Sequence, residues 1–144
     1  MSDSNKILSA NSISSEILSQ ITEMEETVKS EFKKGLDIEL DNDEEAIRYL
    51  DGFIERNKDG LEAEAIEQWV NYIGSFLGQT IIKVYGGEWV ETSEIGLQIR
   101  ENIVCHPFSK VAKQFLNGKE DSIHHFFSFI PQITDEELSI NQFP

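Results

Sequence analysis

Six acidic residues lie close together in the sequence, and their types and spacing are compatible with metal binding. They are Asp37, Glu39, Asp41, Asp43, Glu44 and Glu45. Alternate carboxylates suggest a calcium loop of the EF-hand type, which requires glycine at its sixth position and a bidentate acid at its twelfth. Counted from the first of these acids, the two positions hold Asn42 and Arg48, so the motif fails. The segment instead predicts an acidic loop that ends in the N-cap of a helix.

The single cysteine and the histidines suggest zinc binding or nucleophilic catalysis. Cys105-His106 and His124-His125 offer ligands that zinc accepts. Adjacent residues on an extended chain point to opposite faces, however, and the second pair lacks the spacing of two ligands on one helix face. A cysteine nucleophile needs a lowered thiol pKa and a residue that orients its base, and the sequence shows neither. We therefore predict a buried core cysteine, with no metal and no cofactor. An enzyme that uses Cys105 or the histidines stays an alternative.

Other catalytic motifs are missing from the sequence. It has no Gly-x-Ser-x-Gly nucleophile elbow. Gly86-Gly87-Glu88 follows a predicted helix and lacks the lysine and threonine of a phosphate loop. The sequence therefore favours a protein that is not an enzyme.

Glycine and tryptophan residues on and after the third predicted helix form a second candidate site. Gly74 and Gly78 lie four residues apart, on one side of the helix, and each costs about 1 kcal/mol relative to alanine. Close approach by another backbone or by a large side chain is the simplest compensation. With Trp69 and Trp89 nearby, the same space could form a pocket, so a small-molecule binding module is the alternative function. Aromatic residues at helical spacing are more often part of a core.

Charge distinguishes this chain most clearly from an average globular protein. It has 27 acidic and 12 basic residues among 144, a net charge of −15 at pH 7. A surface of this sign repels nucleic-acid phosphates and anionic lipid headgroups, so neither a nucleic acid nor a membrane is predicted as a partner. Twelve acidic and three basic residues fall between Asp37 and Glu67. Clustered charge of one sign steers a partner of the opposite sign, which predicts a basic protein as the partner.

The clustered charge and the lack of a catalytic motif predict a non-enzymatic protein-interaction domain. One form would be an immunity protein, which antagonises a toxin by covering its basic surface. The acidic residues would supply the contact, with Tyr49 and Phe53 as aromatic anchors.

Composition and length place the chain among folded globular domains. Apolar residues make up 39% of it and charged residues 27%. The length predicts one domain over residues 1–144, with residues 1–11 and 132–144 as loose tails. The first residues lack the sustained apolar run of a secretory signal, and one cysteine cannot form an internal disulfide. These features predict a cytoplasmic protein.

Apolar residues that recur at steps of three and four predict five helices. Their bounds are Ser12 or Ser15 to Lys34, Asp43 to just before Gly60, Glu62 to Tyr85, Pro107 to just before Gly118, and Asp121 or Ser122 to Pro131. Gly35 is expected to end the first helix in a left-handed turn. Strands are predicted at Glu88–Thr92 and Leu97–Arg100, with a third at Ile103 and Val104. The fold class is therefore α+β and helix-dominated, with a small antiparallel hairpin after the long third helix.

One pattern resembles a set of uncharacterised bacterial domains, in which a helix containing Leu-Gly leads into a Gly-x-Trp strand. Its residues are Leu77-Gly78, Gly86-Gly87, Trp89, Pro107, Val111, Lys113, Gly118 and Asp121. The resemblance covers Ile66 to Phe127, about half of the chain. It implies a bacterial origin and a recurring fold, and it brings no catalytic residue.

Overall fold

The computed structural model describes residues 11–135. Capping residues and stripes of apolar side chains set the bounds of its helices. The α-helices are α1 (Ser15–Leu36), α2 (Glu44–Asn57), α3 (Ala63–Tyr85), α4 (Pro107–Asn117) and α5 (Ile123–Asp135), with a short 3-10 helix at Gly118–Asp121. A four-stranded antiparallel sheet accompanies them. The predicted helix-dominated α+β class is confirmed.

Helix α1 begins and ends at polar side chains. Ser14 is its N-cap, and the hydroxyl accepts a hydrogen bond from the Ile17 N–H at 3.1 Å. The predicted left-handed turn at Gly35 is wrong, because that glycine is still helical and Asp37 adopts φ 56°. A short polar side chain tolerates this conformation, and Lys33 Nζ donates to Asp37 Oδ1 at 3.0 Å.

Helices α2 and α3 follow their predicted signals closely. The Asp43 carboxylate accepts a hydrogen bond from the Ala46 N–H at 2.9 Å, which confirms Asp43 as the N-cap of α2. Helix α3 ends at Tyr85 and is followed by Gly86 and Gly87, whose φ angles of 94° and 130° favour glycine.

The strands of the sheet are β1 (Asn11–Ser12), β2 (Glu88–Glu91), β3 (Ile95–Arg100) and β4 (Ile103–Cys105), in that spatial order. The hairpin and the third short strand are confirmed. Strand β1 was not predicted. It pairs Asn11 with Glu91 and Ser12 with Val90, so it covers the outer edge of the hairpin immediately before α1.

Helix α5 corrects the prediction that Pro131 ends the last helix. It continues through Pro131 to Asp135, although proline cannot donate a backbone hydrogen bond there. Ile130 and Ile133 are both fully buried, and their burial favours the continuous helix. Residues 132–135, predicted to be part of a tail, therefore belong to α5, and Asn11 belongs to β1. The rest of both predicted tails lies outside the described residues.

Helix α3 is the centre of the core. It packs against α1 and against α4, while α2 packs against α5. Its fully buried side chains include Ile73, Phe76, Leu77 and Ile81. The loop before α2 and the hairpin after α3 are therefore held on a rigid helical frame.

Candidate functional site

The acidic groove is a concave surface of about 400 Å³ between the loop at residues 38–43 and the first turns of α2. Four of the six predicted acidic residues line it. They are Glu39, Asp41, Asp43 and Glu45. The structure thus brings together carboxylates that the sequence placed at alternate positions of one segment.

Apolar side chains contribute to the same groove. Leu40 and Ala46 are buried, Ile38 is half-buried, and the Tyr49 ring completes the lining. Arg48 is the one basic residue in it. An apolar surface with carboxylates beside it suits a lysine or arginine side chain, because the stem can pack while the charged head meets the carboxylates.

The remaining two predicted acids contact other parts of the fold. Asp37 forms the C-cap of α1 and binds Lys33. Glu44 Oε2 lies 3.0 Å from His124 Nε2 and 3.6 Å from Arg48 Nη2, so it links α2 to α5. These two carboxylates are already engaged within the chain.

Hydrogen bonds from Asn42 hold the loop of the acidic groove on both sides. Lys29 Nζ of α1 donates to Asn42 Oδ1 at 2.8 Å, and Asn42 Nδ2 donates to the buried Thr80 Oγ1 of α3 at 3.1 Å. The loop is thereby fixed to two helices, and its carboxylates are positioned before any partner arrives.

Exposed cations lie beside the acidic groove without neutralising it. Lys33 Nζ is 3.3 Å from Glu39 Oε2, and Arg48 Nη1 is 3.9 Å from Glu45 Oε2. Hydrogen bonds to Asp37 and Glu39 raise the pKa of Lys33. Solvent-exposed pairs of this kind contribute little stability, so a partner's cation can replace them at low cost.

Five rings form an aromatic cluster next to the groove. The cluster consists of Phe32, Tyr49, Phe53, Trp69 and Tyr72. Its closest ring centroids, those of Phe53 and Trp69, are 4.8 Å apart, and the Arg56 guanidinium lies over the Tyr49 ring at 5.3 Å. Tyr49 and Phe53, the predicted anchors, are only half-buried.

Trp69 belongs to this aromatic cluster and not to the predicted pocket around Gly78. Nine residues separate Trp69 from Gly78, so they differ by about 13 Å along α3 and by about half a turn around it. The structure brings Gly78 and Trp89 together and packs Trp69 against Phe32 and Phe53 instead.

Two aromatic rings fill the space over the α3 glycines. A Cβ built at Gly78 would lie 2.1 Å from Trp89 Cη2, and one at Gly74 would lie 2.4 Å from Phe108 Cδ1. The Trp89 and Phe108 rings also contact each other, with centroids 5.7 Å apart. Close approach by a large side chain, predicted as the compensation for these glycines, is confirmed.

A buried polar network at the start of α5 was missed by the sequence reasoning. Asp51 of α2 accepts hydrogen bonds from the Ser122 hydroxyl and, at 3.0 Å, from the His124 N–H. Gln114 Nε2 of α4 donates to Asp51 Oδ1 at 3.1 Å, while Gln114 Oε1 accepts from the Ile123 N–H at 2.8 Å. The sequence contains one signal of this buried network. Asp51 lies within the apolar stripe of α2, between Leu50 and Ile54.

Cys105 is buried at the end of β4, as the sequence predicted. Burial raises the pKa of its thiol to about 12. A thiol with this pKa stays protonated at neutral pH and is a poor nucleophile. Within residues 11–135, no group of three histidine, cysteine or acidic side chains could hold a metal ion.

Cys105 should resist thiol reagents in the folded protein. With a pKa of about 12, about one thiol in ten thousand is ionised at pH 8. We expect no reaction with Ellman's reagent over an hour in native buffer and one equivalent released in strong urea, measured by absorbance. Rapid labelling of the native protein would show that the thiol is accessible and ionised.

Helices long and apolar enough to cross a membrane are not found in the described part of the chain. Comparison of the sequence and structure with protein-family models, with curated proteins and with solved structures finds no match. The resemblance to bacterial domains with a Gly-x-Trp strand therefore stays a prediction.

Proposed function

We propose that this chain is a non-enzymatic protein-interaction domain whose acidic groove binds a basic segment of a partner protein. The observation that carries the proposal is the arrangement of four carboxylates beside an apolar surface in one concave site. An immunity protein or another antagonist of a basic protein would use such a groove. A cytoplasmic location and a bacterial origin belong to the same proposal.

Electrostatics support a basic partner. The whole chain carries a net charge of −15, so its long-range field attracts cations and repels nucleic acids. At short range, Glu39, Asp41 and Glu45 are exposed and can exchange water or weakly held lysine and arginine for a partner's side chains. The same acidic segment therefore contributes to the long-range attraction of a basic partner and to the direct contacts with it.

Tyr49 supports the proposal as an anchor. Its ring lines the acidic groove and packs edge-on against Phe32, with ring centroids 5.6 Å apart. A half-buried aromatic ring that is already held in place loses little conformational entropy on binding. A partner that covers the groove would also bury the exposed part of this ring.

The alternative, a small-molecule module at Trp69, Gly74, Gly78 and Trp89, receives less support. The rings of Trp89 and Phe108 take up the room that the two glycines provide. Trp69 contributes to the aromatic cluster instead.

Reversing the charge of the groove should weaken partner binding by at least tenfold. We would change Glu39, Asp41 and Glu45 to lysine, because all three are exposed and none caps a helix. The tagged full-length chain would capture proteins from host lysate, and binding of each captured basic protein would then be measured by titration. We expect the groove variant to lose at least tenfold in affinity, and the wild-type affinity to fall as salt rises.

A matched variant controls for net charge. Glu88, Glu91 and Glu101 are exposed on the sheet and its turn, so changing them to lysine gives the same net charge without touching the groove. This control should bind the partner within about threefold of the wild type. Equal binding by the groove variant, or equal loss in both variants, would reject the acidic groove as the contact surface.

A further inference from the structure

We propose that a second site, the α1–α3 pocket, binds a small primary amine with an apolar body. This pocket has a volume of about 350 Å³ and lies between α1, α3 and the β2–β3 turn, away from the acidic groove. Its size falls at the lower end of the range for ligand pockets, about 300–1,000 Å³. The inference is independent of the proposed protein partner, because the two sites share no residue.

The walls of the α1–α3 pocket are mostly apolar. They are formed by Ile17, Ile21, Met24, Ile95 and Phe108. The Phe108 ring is held against the α3 backbone at Gly74 and against the Trp89 ring, so this wall is rigid. A pre-formed apolar wall accepts an aliphatic or aromatic body without reorganisation.

Polar atoms in the α1–α3 pocket favour a ligand that donates hydrogen bonds. Ser75 is fully buried, and within the described residues its hydroxyl has one partner, Met24 Sδ at 3.6 Å. A thioether is a weak acceptor, and the lone pairs of the hydroxyl receive no donor from the backbone and side chains that the structure describes. The side-chain amides of Gln20 and Asn71 add two carbonyl acceptors and two NH2 donors at the same pocket.

The negative charge in the lining of the α1–α3 pocket favours a cationic ligand. Glu94 is the single charged residue in its lining, and no lysine or arginine lines it. The His106 imidazole lies 3.9 Å from the Glu94 carboxylate as its one basic neighbour within the described chain. An ammonium group has three donors and no acceptor, so it matches the Glu94 carboxylate and the amide oxygens of Gln20 and Asn71, all of which are exposed. A carboxylate or phosphate ligand would face the like charge of Glu94, with no lysine or arginine in the lining to offset it.

Phenethylamine is a suitable probe, with hydrocinnamate as an anion of similar shape. We would titrate each into the labelled full-length protein at millimolar concentrations and follow backbone and side-chain amide resonances. The expected result is saturable shifts for phenethylamine at Gln20, Asn71, Ser75 and Ile95, and none at these residues for hydrocinnamate. Equal binding of the two probes, or shifts that scatter over the acidic surface, would overturn the proposal.

Two variants test the role of the pocket itself. Glu94→Gln keeps the shape and should weaken phenethylamine binding by about threefold to fivefold, as expected for an exposed ion pair. Glu91→Gln, which removes an exposed charge of the same sheet outside the pocket, should leave affinity unchanged. Gln20→Trp places a large side chain over the pocket from an exposed helix position and should abolish binding. Unchanged affinity in both Glu94→Gln and Gln20→Trp would reject the site, whether or not the probe binds elsewhere.

Discussion

Gly78→Ala is expected to lower the free energy of unfolding by about 3 kcal/mol, although alanine is the better helix former. The added Cβ would lie 2.1 Å from Trp89 Cη2 and 2.3 Å from Cζ2, far inside van der Waals contact. The indole cannot easily move aside, because its Nε1–H donates to Gln79 Oε1 at 2.8 Å and its ring packs on Phe108. Urea denaturation followed by circular dichroism measures the loss.

Gly35→Ala is the matched control for this change. Gly35 is also helical, in the last turn of α1, but nothing lies within 4 Å of its added Cβ. This substitution should raise stability by about 0.5–1 kcal/mol. In a Gly78→Ala/Trp89→Leu double variant, the combined loss should be smaller than the sum of the single losses, because the clash is gone. A Gly78→Ala protein as stable as the wild type would contradict the packing of Trp89 on α3.

Asp51→Ala is expected to lower the free energy of unfolding by about 3–4 kcal/mol. The change leaves the His124 N–H and the Ser122 hydroxyl without their acceptor, and Gln114 Nε2 loses one of its acceptors while keeping Glu55 Oε2 at 2.9 Å. All three donors lie at the junction of α2, α4 and α5. Urea denaturation measures the loss, and amide hydrogen exchange at the start of α5 should accelerate more than exchange in α1.

Asp59→Ala separates this network effect from the loss of a negative charge. The Asp59 side chain is 94% exposed and pairs only with Lys58 at 3.6 Å within the described chain. Its replacement should change stability by less than about 0.5 kcal/mol. If Asp51→Ala and Asp59→Ala lowered the free energy of unfolding by the same amount, the buried hydrogen bonds of Asp51 would contribute no measurable stability.

Local signals in the sequence were sufficient for the start of α2, for the end of α3 and for the acidic segment. Asp43 followed by two glutamates marks the start of α2, and Gly86-Gly87 marks the end of α3, because caps and left-handed glycines act within one turn. The carboxylates at Glu39, Asp41 and Asp43 lie on one short loop, so their proximity needs no tertiary contact. These parts of the fold and site could be predicted.

Features that depend on distant contacts could not be predicted in the same way. Nothing in Asn11-Ser12 indicates a strand, since β1 exists only through its pairing with β2. The extension of α5 past Pro131 depends on burial of Ile133, which the local proline signal does not reveal. Trp69 was predicted to line a pocket with Gly78. Helix geometry alone places these two residues half a turn apart, so their separation could be predicted from the sequence.

Strand β1 has a consequence for the order of folding. It joins Asn11 to Glu91 and Ser12 to Val90 across most of the described chain. Closing so long a loop costs entropy, so this pairing becomes favourable once α1, α3 and the hairpin are already in place. We therefore expect this pairing to form late in folding, after the helices that it joins to the hairpin.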